Sequence, residues 1–372
     1  MLPRILIDYT PSLVRSAGVK TYLHHWIYSL LQQSPDSIFS FPTLPADLTH
    51  DRRSVGNASK LLLLKAFNLA PQAIANRFAT HFDVLHVSNL LQRIPGRPAL
   101  SSTLHDCTSW LFPELHLPSQ AVADAAFAER VLHPARGLIA VSEATRADAI
   151  RLLNLKPEKI TVIYPGVPET YRDVKLAAVE AARTAYSLPS RFFLFTGTIE
   201  PRKNIERLLD AWLSLPSDFR EEHSLVLAGM RGWKASTTLQ RLAQLSRENA
   251  GVRWLGYVPE SLMPGLTAAA LALVYPSLYE GFGFPLVQAM AAGCPVITSN
   301  VSSMPEVTAG AALLIDPFSQ AEIASAMRQL AENPSLRVNL ASAGLERSLN
   351  FTWSKSAERS LQYFSNLAGK QL

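Results

Sequence analysis

The sequence predicts an α/β protein made of two open parallel sheets, each with helices on both faces. Three observations lead there. Short apolar runs ending in glycine or a polar residue alternate with segments of helical periodicity along nearly the whole chain, the order expected of strand-helix-strand units. At 372 residues the chain is long for one core and suits two domains of ordinary size. A break at Pro165-Gly166, with a stretch running on to Pro189, separates two such strand-helix series.

The first series opens with the strand Arg4-Ile-Leu-Ile-Asp-Tyr9 and a loop ending Ser16-Ala17-Gly18-Val19. A helix follows, with apolar positions Val19, Tyr22, Leu23, Trp26 and Leu30. Gly18 is a lone glycine before that helix, and Gly-x-Gly-x-x-Gly is missing after the strand, which argues against an NAD-dependent dehydrogenase. Phe82 to Val87 and Leu100 to Asp106 read as two more strands. The second ends in the polar pair His105-Asp106, and ligands bind at the carboxyl ends of parallel strands. Gly137 to Ser142 is a further strand, with Ser142 suited to cap the helix that opens at Glu143. Arg146 on that helix reads as a surface residue, and His86 and His133 as structural. Ile160 to Val167 closes the series.

In the second series Phe192-Phe-Leu-Phe-Thr-Gly197 is an apolar strand, and Thr198-Ile-Glu-Pro-Arg202-Lys203-Asn204 opens a helix with apolar positions Ile205, Leu208, Leu209 and Trp212. Cations at a helix start oppose its dipole unless an anion compensates. A planar guanidinium beside a compact ammonium also matches the two phosphates of a nucleoside diphosphate. Ser224 to Gly229 and Val252 to Val258 read as further strands, and Tyr257 is given no role. The most informative stretch is Glu280-Gly-Phe-Gly-Phe-Pro-Leu-Val-Gln288. Gly281 and Gly283 let backbone N–H groups approach a ligand, Pro285 suits a first helical turn, and the helix start favours an anion. Glu280 is acceptor-only when ionised and can take hydrogen bonds from hydroxyls. Gln288 lies about one turn into the helix, which is read as running to Gly293.

This stretch resembles the signature of the family 4 glycosyltransferases of GT-B fold, in which a second glutamate stands where this chain has Gln288. The resemblance extends over nearly the full length. It implies two Rossmann-like domains facing a central cleft: an acceptor-side domain, 1–170, completed by a C-terminal helix at about 353–372 that crosses back to it, and a donor domain, 171–352. It further implies that Arg202 and Lys203 clamp the donor diphosphate. Gly18, Gly281, Phe282, Gly283, Phe284, Pro285, Leu286 and Gln288 complete the donor site. His105, Asp106 and Glu280 are the catalytic residues so implied: His105 against the donor sugar, Asp106 shaping the acceptor side, Glu280 orienting the sugar. The neutral amide of Gln288 is expected to weaken or retune the grip on the nucleotide ribose.

The activity implied is transfer of a hexose from a nucleotide-diphosphate sugar to a saccharide or lipid-linked saccharide, with retention of configuration. The Glu-Pro-Arg-Lys-Asn and Gly-Trp motifs are similar to those of mannosyl- and rhamnosyl-type transferases that build surface polysaccharides, so mannose from GDP-mannose is the first expectation and UDP-sugars stay open. No Asp-x-Asp pair occurs, and neither a metal nor a cofactor is expected. Two alternatives stand beside this reading: a non-catalytic protein that binds a nucleotide sugar through a degenerate site, and a sugar-nucleotide epimerase.

Composition bounds the rest. The net charge is +5, and residues 1–172 carry 17 Lys/Arg against 13 Asp/Glu. Arg52, Arg53, Lys60, Lys65 and Arg77 flank Leu61 to Leu64 and Phe67, which reads either as a basic amphipathic helix on an anionic membrane or as a helix packed on the sheet. No basic-aromatic module suggests nucleic acid. The two cysteines, Cys107 and Cys294, fit a reducing compartment. With no signal peptide or membrane-length apolar run, the expected location is cytoplasmic, with or without peripheral membrane contact.

Overall fold

The structure is a computed structural model that describes residues 2–13, 17–44, 55–96 and 98–370. The chain forms two compact units, one of residues 1–166 with 352–372 and one of residues 167–351.

Among the described residues, the first unit holds a six-stranded parallel sheet of β1 (Ile5–Asp8), β2 (Ile38–Phe41), β3 (Val84–Val87), β4 (Ala99–Leu104), β5 (Gly137–Ala140) and β6 (Ile160–Val162). The spatial order is β2-β1-β3-β4-β5-β6, so the direction of winding reverses between β1 and β3. Ile5 of β1 stands opposite both Ile38 and Val84. Helix α1 (Ala17–Gln33) buries Tyr22, Leu23, Trp26 and Leu30, the stripe expected from its periodicity. The C-terminal helix, Trp353–Leu367, packs along α1, and Trp26 Nε1 donates to Ser360 Oγ at 2.9 Å.

The basic leucine-rich segment packs on the first unit through part of its length. Helix α2 (Val55–Leu69) sends Leu64 into the core and half-buries Phe67. Leu62 and Leu63 are 68% and 58% exposed, while Lys65, and Arg77 on α3 (Gln72–Phe78), face solvent. Arg52 and Arg53 lie outside the described residues, and Leu61 is described only in its backbone. Among the described residues no helix is long and apolar enough to cross a membrane. Ser142 caps α4 (Glu143–Leu153) as expected, its Oγ accepting from the Thr145 N–H at 3.0 Å.

The second unit repeats the plan with β7 (Phe192–Thr196), β8 (Ser224–Ala228), β9 (Val252–Gly256), β10 (Ala272–Tyr275), β11 (Val296–Ser299) and β12 (Leu313–Ile315), in the order β12-β11-β10-β7-β8-β9. Its winding reverses between β7 and β10. All five residues of β7 are buried, and each large apolar side chain there contributes about 1.5–3 kcal/mol of transfer free energy. Helix α5 (Ile205–Leu213) buries Ile205, Leu208, Leu209 and Trp212 against the sheet.

Three details differ from expectation. Gly18 lies inside the first turn of α1 rather than in the loop before it, and a Cβ built there would meet nothing within 4 Å. Pro201–Lys203 forms a separate 3-10 turn, and α5 begins only after Asn204, which turns left-handed at φ 60°. Helix α6 (Phe284–Ala291) stops two residues short of Gly293.

Candidate functional site

In doubly wound sheets, ligands sit at the carboxyl ends of the strands where the winding reverses. Each unit has a polar cluster at that place.

In the second unit the reversal brings the segment after β7 against the segment after β10. Glu280, which follows β10, is 7% exposed, as is Lys203, and Glu200 is 5% exposed. Arg202 and Lys203 both reach Glu280: Arg202 Nη1 lies 2.9 Å from Oε2 and Lys203 Nζ 2.6 Å from Oε1. Glu280 Oε1 also accepts from Tyr275 OH at 2.9 Å and Ser277 Oγ at 2.6 Å. Arg202 Nη2 donates to Glu200 Oε1 at 2.7 Å, and Nη1 donates to the Tyr279 carbonyl at 2.7 Å. Lys203 Nζ donates to Tyr275 OH at 2.5 Å. The backbone of Glu280 is fixed as well, its N–H donating to Ser302 Oγ at 3.0 Å and its carbonyl accepting from Ser303 Oγ at 2.8 Å.

Electrostatics follow from this geometry. Burial works to raise the Glu280 carboxyl, but Arg202 and Lys203 outweigh it and hold the group at about 2. Burial, reinforced by Arg202, lowers the Lys203 ammonium against the pull of Glu280 and Glu200. Burial raises Glu200 despite Arg202 and Lys203. Two cations and two carboxylates therefore balance in a site almost closed to water. The sequence argument required an anion opposite Arg202 and Lys203 and assigned that place to a ligand. Here Glu280 and Glu200 supply it.

The loop from Gly281 to Leu286 turns into α6. Gly283 caps the helix at φ 90°, and a Cβ there would lie 2.9 Å from Leu286 Cδ1, so this position demands glycine. Pro285 occupies the first turn of α6 as expected. Phe282 is buried between Phe284 and Phe351, with ring centroids 5.4 Å from each. Leu286 is wholly buried and its N–H donates to the Gly283 carbonyl at 3.0 Å, so that donor is spent within the turn rather than offered to a ligand. Gln288 is half-buried, and its side chain has no hydrogen-bond partner among the described residues.

In the first unit the reversal joins the end of β1 to the end of β3. Asp8 Oδ2 accepts from the Ser88 N–H at 3.0 Å and from Ser88 Oγ at 2.5 Å. Beside it opens a cleft of about 180 Å³ lined by Asp8, His105, Asp106, Ser109 and Asp124 among others. His105 is half-buried and meets Tyr22 edge-on at 5.0 Å between ring centroids. Burial drives its imidazole down to about 4, partly opposed by Asp106, so the ring is neutral near pH 7. Asp106 is held by Thr108, whose N–H and Oγ1 donate to Oδ1 at 3.0 and 2.6 Å. Burial raises the Asp124 carboxyl, with Asp106 adding to the rise. His86 is a satisfied core residue, 3.0 Å from Ser101 Oγ and 2.9 Å from Thr103 Oγ1. Arg146 spends its guanidinium on the Ile160 and Pro157 carbonyls, both at 3.3 Å.

His105 and Asp106 thus stand together in one unit, and Arg202, Lys203, Glu280 and the Gly281 to Gln288 loop in the other. Glu200, Tyr275 and Ser277 in the second cluster, and Asp8 and Asp124 in the first, were not singled out from sequence. Glu200 stood beside Pro201 in a motif already quoted, and its acidity next to two cations was the signal available. Tyr275 and Asp8 end apolar strands, where a lone polar side chain carries no mark of its partners.

Comparison with known proteins places the chain in a family. The profile of glycosyl transferases group 1 matches residues 180–347, and that of glycosyltransferase family 4 matches residues 18–171. An O-antigen chain mannosyltransferase B of Escherichia coli is 35% identical over 271 residues, covering 72% of this chain and 70% of that protein. A serotype-specific mannosyltransferase WbdA of Escherichia coli is 26% identical over 86% of this chain, which spans only 39% of that relative's length. Among solved structures, a sucrose-phosphate synthase from Thermosynechococcus elongatus superposes with a TM-score of 0.76 at 21% identity, covering 99% of this chain and 100% of that one. Two matching profiles, a relative 35% identical over most of both chains, and two doubly wound parallel sheets make this chain a member of the family 4 glycosyltransferases of GT-B fold.

Proposed function

We propose that the protein transfers a mannosyl residue from GDP-mannose to a saccharide or lipid-linked saccharide in the synthesis of a surface polysaccharide, with retention of configuration and without a metal. The observation that carries the sugar assignment is the 35% identity to an O-antigen mannosyltransferase over 271 residues. The charge arrangement around Arg202 and Lys203 supports the mechanism.

In the reaction the bond between the anomeric carbon and the β-phosphate oxygen breaks, and its electron pair leaves with the diphosphate. The acceptor hydroxyl oxygen bonds to the same carbon, and its proton passes to the departing phosphate. Negative charge therefore grows on the diphosphate in the transition state. Arg202 and Lys203, held in place by Glu280, Glu200 and Tyr275, supply positive charge that is already positioned to meet it. Glu280 acts mainly by fixing these two cations. Neutral His105 offers a hydrogen bond to the sugar without adding a charge, and Asp106 and Asp124 orient acceptor hydroxyls.

The test is incubation of the protein with GDP-mannose and a mannose oligosaccharide in EDTA, followed by mass spectrometry of the acceptor. A gain of one hexose supports the proposal. Transfer from UDP-glucose alone, or transfer only with added magnesium, overturns the donor or the metal assignment.

A further inference from the structure

A second cavity, of about 200 Å³, lies in the first unit between α2 and the sheet. Leu6, Phe41, Leu64, Phe67 and Leu85 contribute to an almost wholly apolar lining in which, among the described residues, Asp8 is the only charged one. Protein interiors are close-packed, and apolar voids of roughly 150 Å³ stay dry and take up small apolar guests. This cavity exceeds that size. It also reaches the surface, because Leu63 both lines it and is 58% exposed.

Two further observations identify the guest. Neither α2 nor α3 carries an acidic residue, and Lys60 stands one turn before Leu63 on the same face of α2, so the approach to the cavity favours an anion. Asp8 is shared, lining both this cavity and the cleft of His105, Asp106 and Asp124. A molecule with its apolar part in the cavity has its polar part beside that cleft.

We propose that this cavity holds a segment of the hydrocarbon chain of one phosphate-bearing lipid, the lipid-linked form of the acceptor, rather than resting on a bilayer surface. The proposal rests on the glycosyltransferase reading and narrows its acceptor to a single lipid molecule. A concave, enclosed site fits one chain, whereas a bilayer requires an exposed face.

The experiment titrates the full-length protein with monomeric farnesyl phosphate, with sodium phosphate, and with phosphatidylglycerol vesicles, using calorimetry. Two variants are compared: Ala79→Leu, which fills the cavity from its lining, and Leu63→Glu, which puts a charge at its exposed mouth. Saturable one-to-one binding of farnesyl phosphate, weakened roughly tenfold by each variant, is expected, the loss that displacing about two buried methylenes brings. Leu63→Glu changes a surface position, so folding is kept even where Ala79→Leu strains the core. No binding of farnesyl phosphate, equal binding of sodium phosphate, unchanged binding by both variants, or binding to vesicles alone overturns the proposal. GDP-mannose titrated into the same preparations separates the two readings: donor binding without lipid binding sinks only this inference, and lipid binding without donor binding sinks the proposed function and leaves the cavity's lipid without its role as acceptor.

Discussion

Lys203→Ala probes the charge cluster most directly. Lys203 is 7% exposed, and its ammonium lies 2.6 Å from Glu280 Oε1 and 2.5 Å from Tyr275 OH. Removing one partner of a buried ion pair typically costs about 3–5 kcal/mol, because the other charge stays buried. Here Glu280 keeps Arg202 at 2.9 Å and the hydroxyls of Tyr275 and Ser277, so the lower end, about 3 kcal/mol, is expected. Under the proposed function the same substitution deletes a charged hydrogen bond to the donor diphosphate, worth roughly 1.5–3 kcal/mol, or about tenfold to a hundredfold and more in affinity. Urea denaturation measures the first effect and calorimetric titration with GDP the second, at a urea-free concentration where the variant is folded. A folded variant that binds GDP as tightly as the parent refutes the clamp. A variant with undiminished stability refutes the coupling of Lys203 to Glu280.

Four other outcomes are expected. Gln288→Glu restores a charged acceptor and strengthens GDP binding by about fivefold, from the roughly 1 kcal/mol by which charged hydrogen bonds exceed neutral ones; equal or weaker binding by calorimetry counts against the ribose role. Gly283→Ala lowers stability by about 1–2 kcal/mol, since alanine at φ 90° meets Leu286 Cδ1 at 2.9 Å; an unchanged melting temperature contradicts the left-handed cap. Gly18→Ala, in open space within the first turn of α1, holds or raises stability by up to about 1 kcal/mol and weakens donor binding; unaltered donor affinity removes Gly18 from the site. Acid loosens the two units at different pH. His86 and His105 are held down to about 3 and about 4, below the ordinary histidine value, so the unfolded chain takes up protons first and their neutral burial costs stability as pH falls from about 6.5. Glu280 is depressed from 4.5 to about 2, so its contribution is complete above 4.5 and is lost between there and 2. Tryptophan fluorescence and near-ultraviolet dichroism followed from pH 7 to 2 check this, and a single transition below pH 4 contradicts the histidine part.

Much of the fold was legible because its strands are continuous apolar runs ending at glycine or polar residues, as in β7, β8 and β1, and because α1 and α5 carry clear stripes. The strands β2, β10, β11 and β12 were not read. Length does not set them apart, since β1, β3, β5 and β6 are equally short; β11 follows a helix that drew attention to its own loop. The site divides in the same way. Arg202, Lys203, Glu280 and the Gly281 to Gln288 loop are local in sequence, so their pattern could be seen. What Glu280 does was not visible, because its partners lie far along the chain: Lys203 stands 77 residues away, and Tyr275, five residues from Glu280, is 72 from Lys203. The Asp8 and Ser88 contact crosses 80 residues. Such pairings come from sheet order, which no short stretch of sequence contains.

The most direct test of the central claim is calorimetric titration of the protein with GDP-mannose, GDP, UDP-glucose and UDP, each with and without EDTA. Binding of GDP and GDP-mannose that is unchanged by EDTA, with UDP compounds weaker, is the predicted result. Binding that disappears in EDTA, or no binding of any nucleotide diphosphate, contradicts a metal-independent donor site built on Arg202 and Lys203.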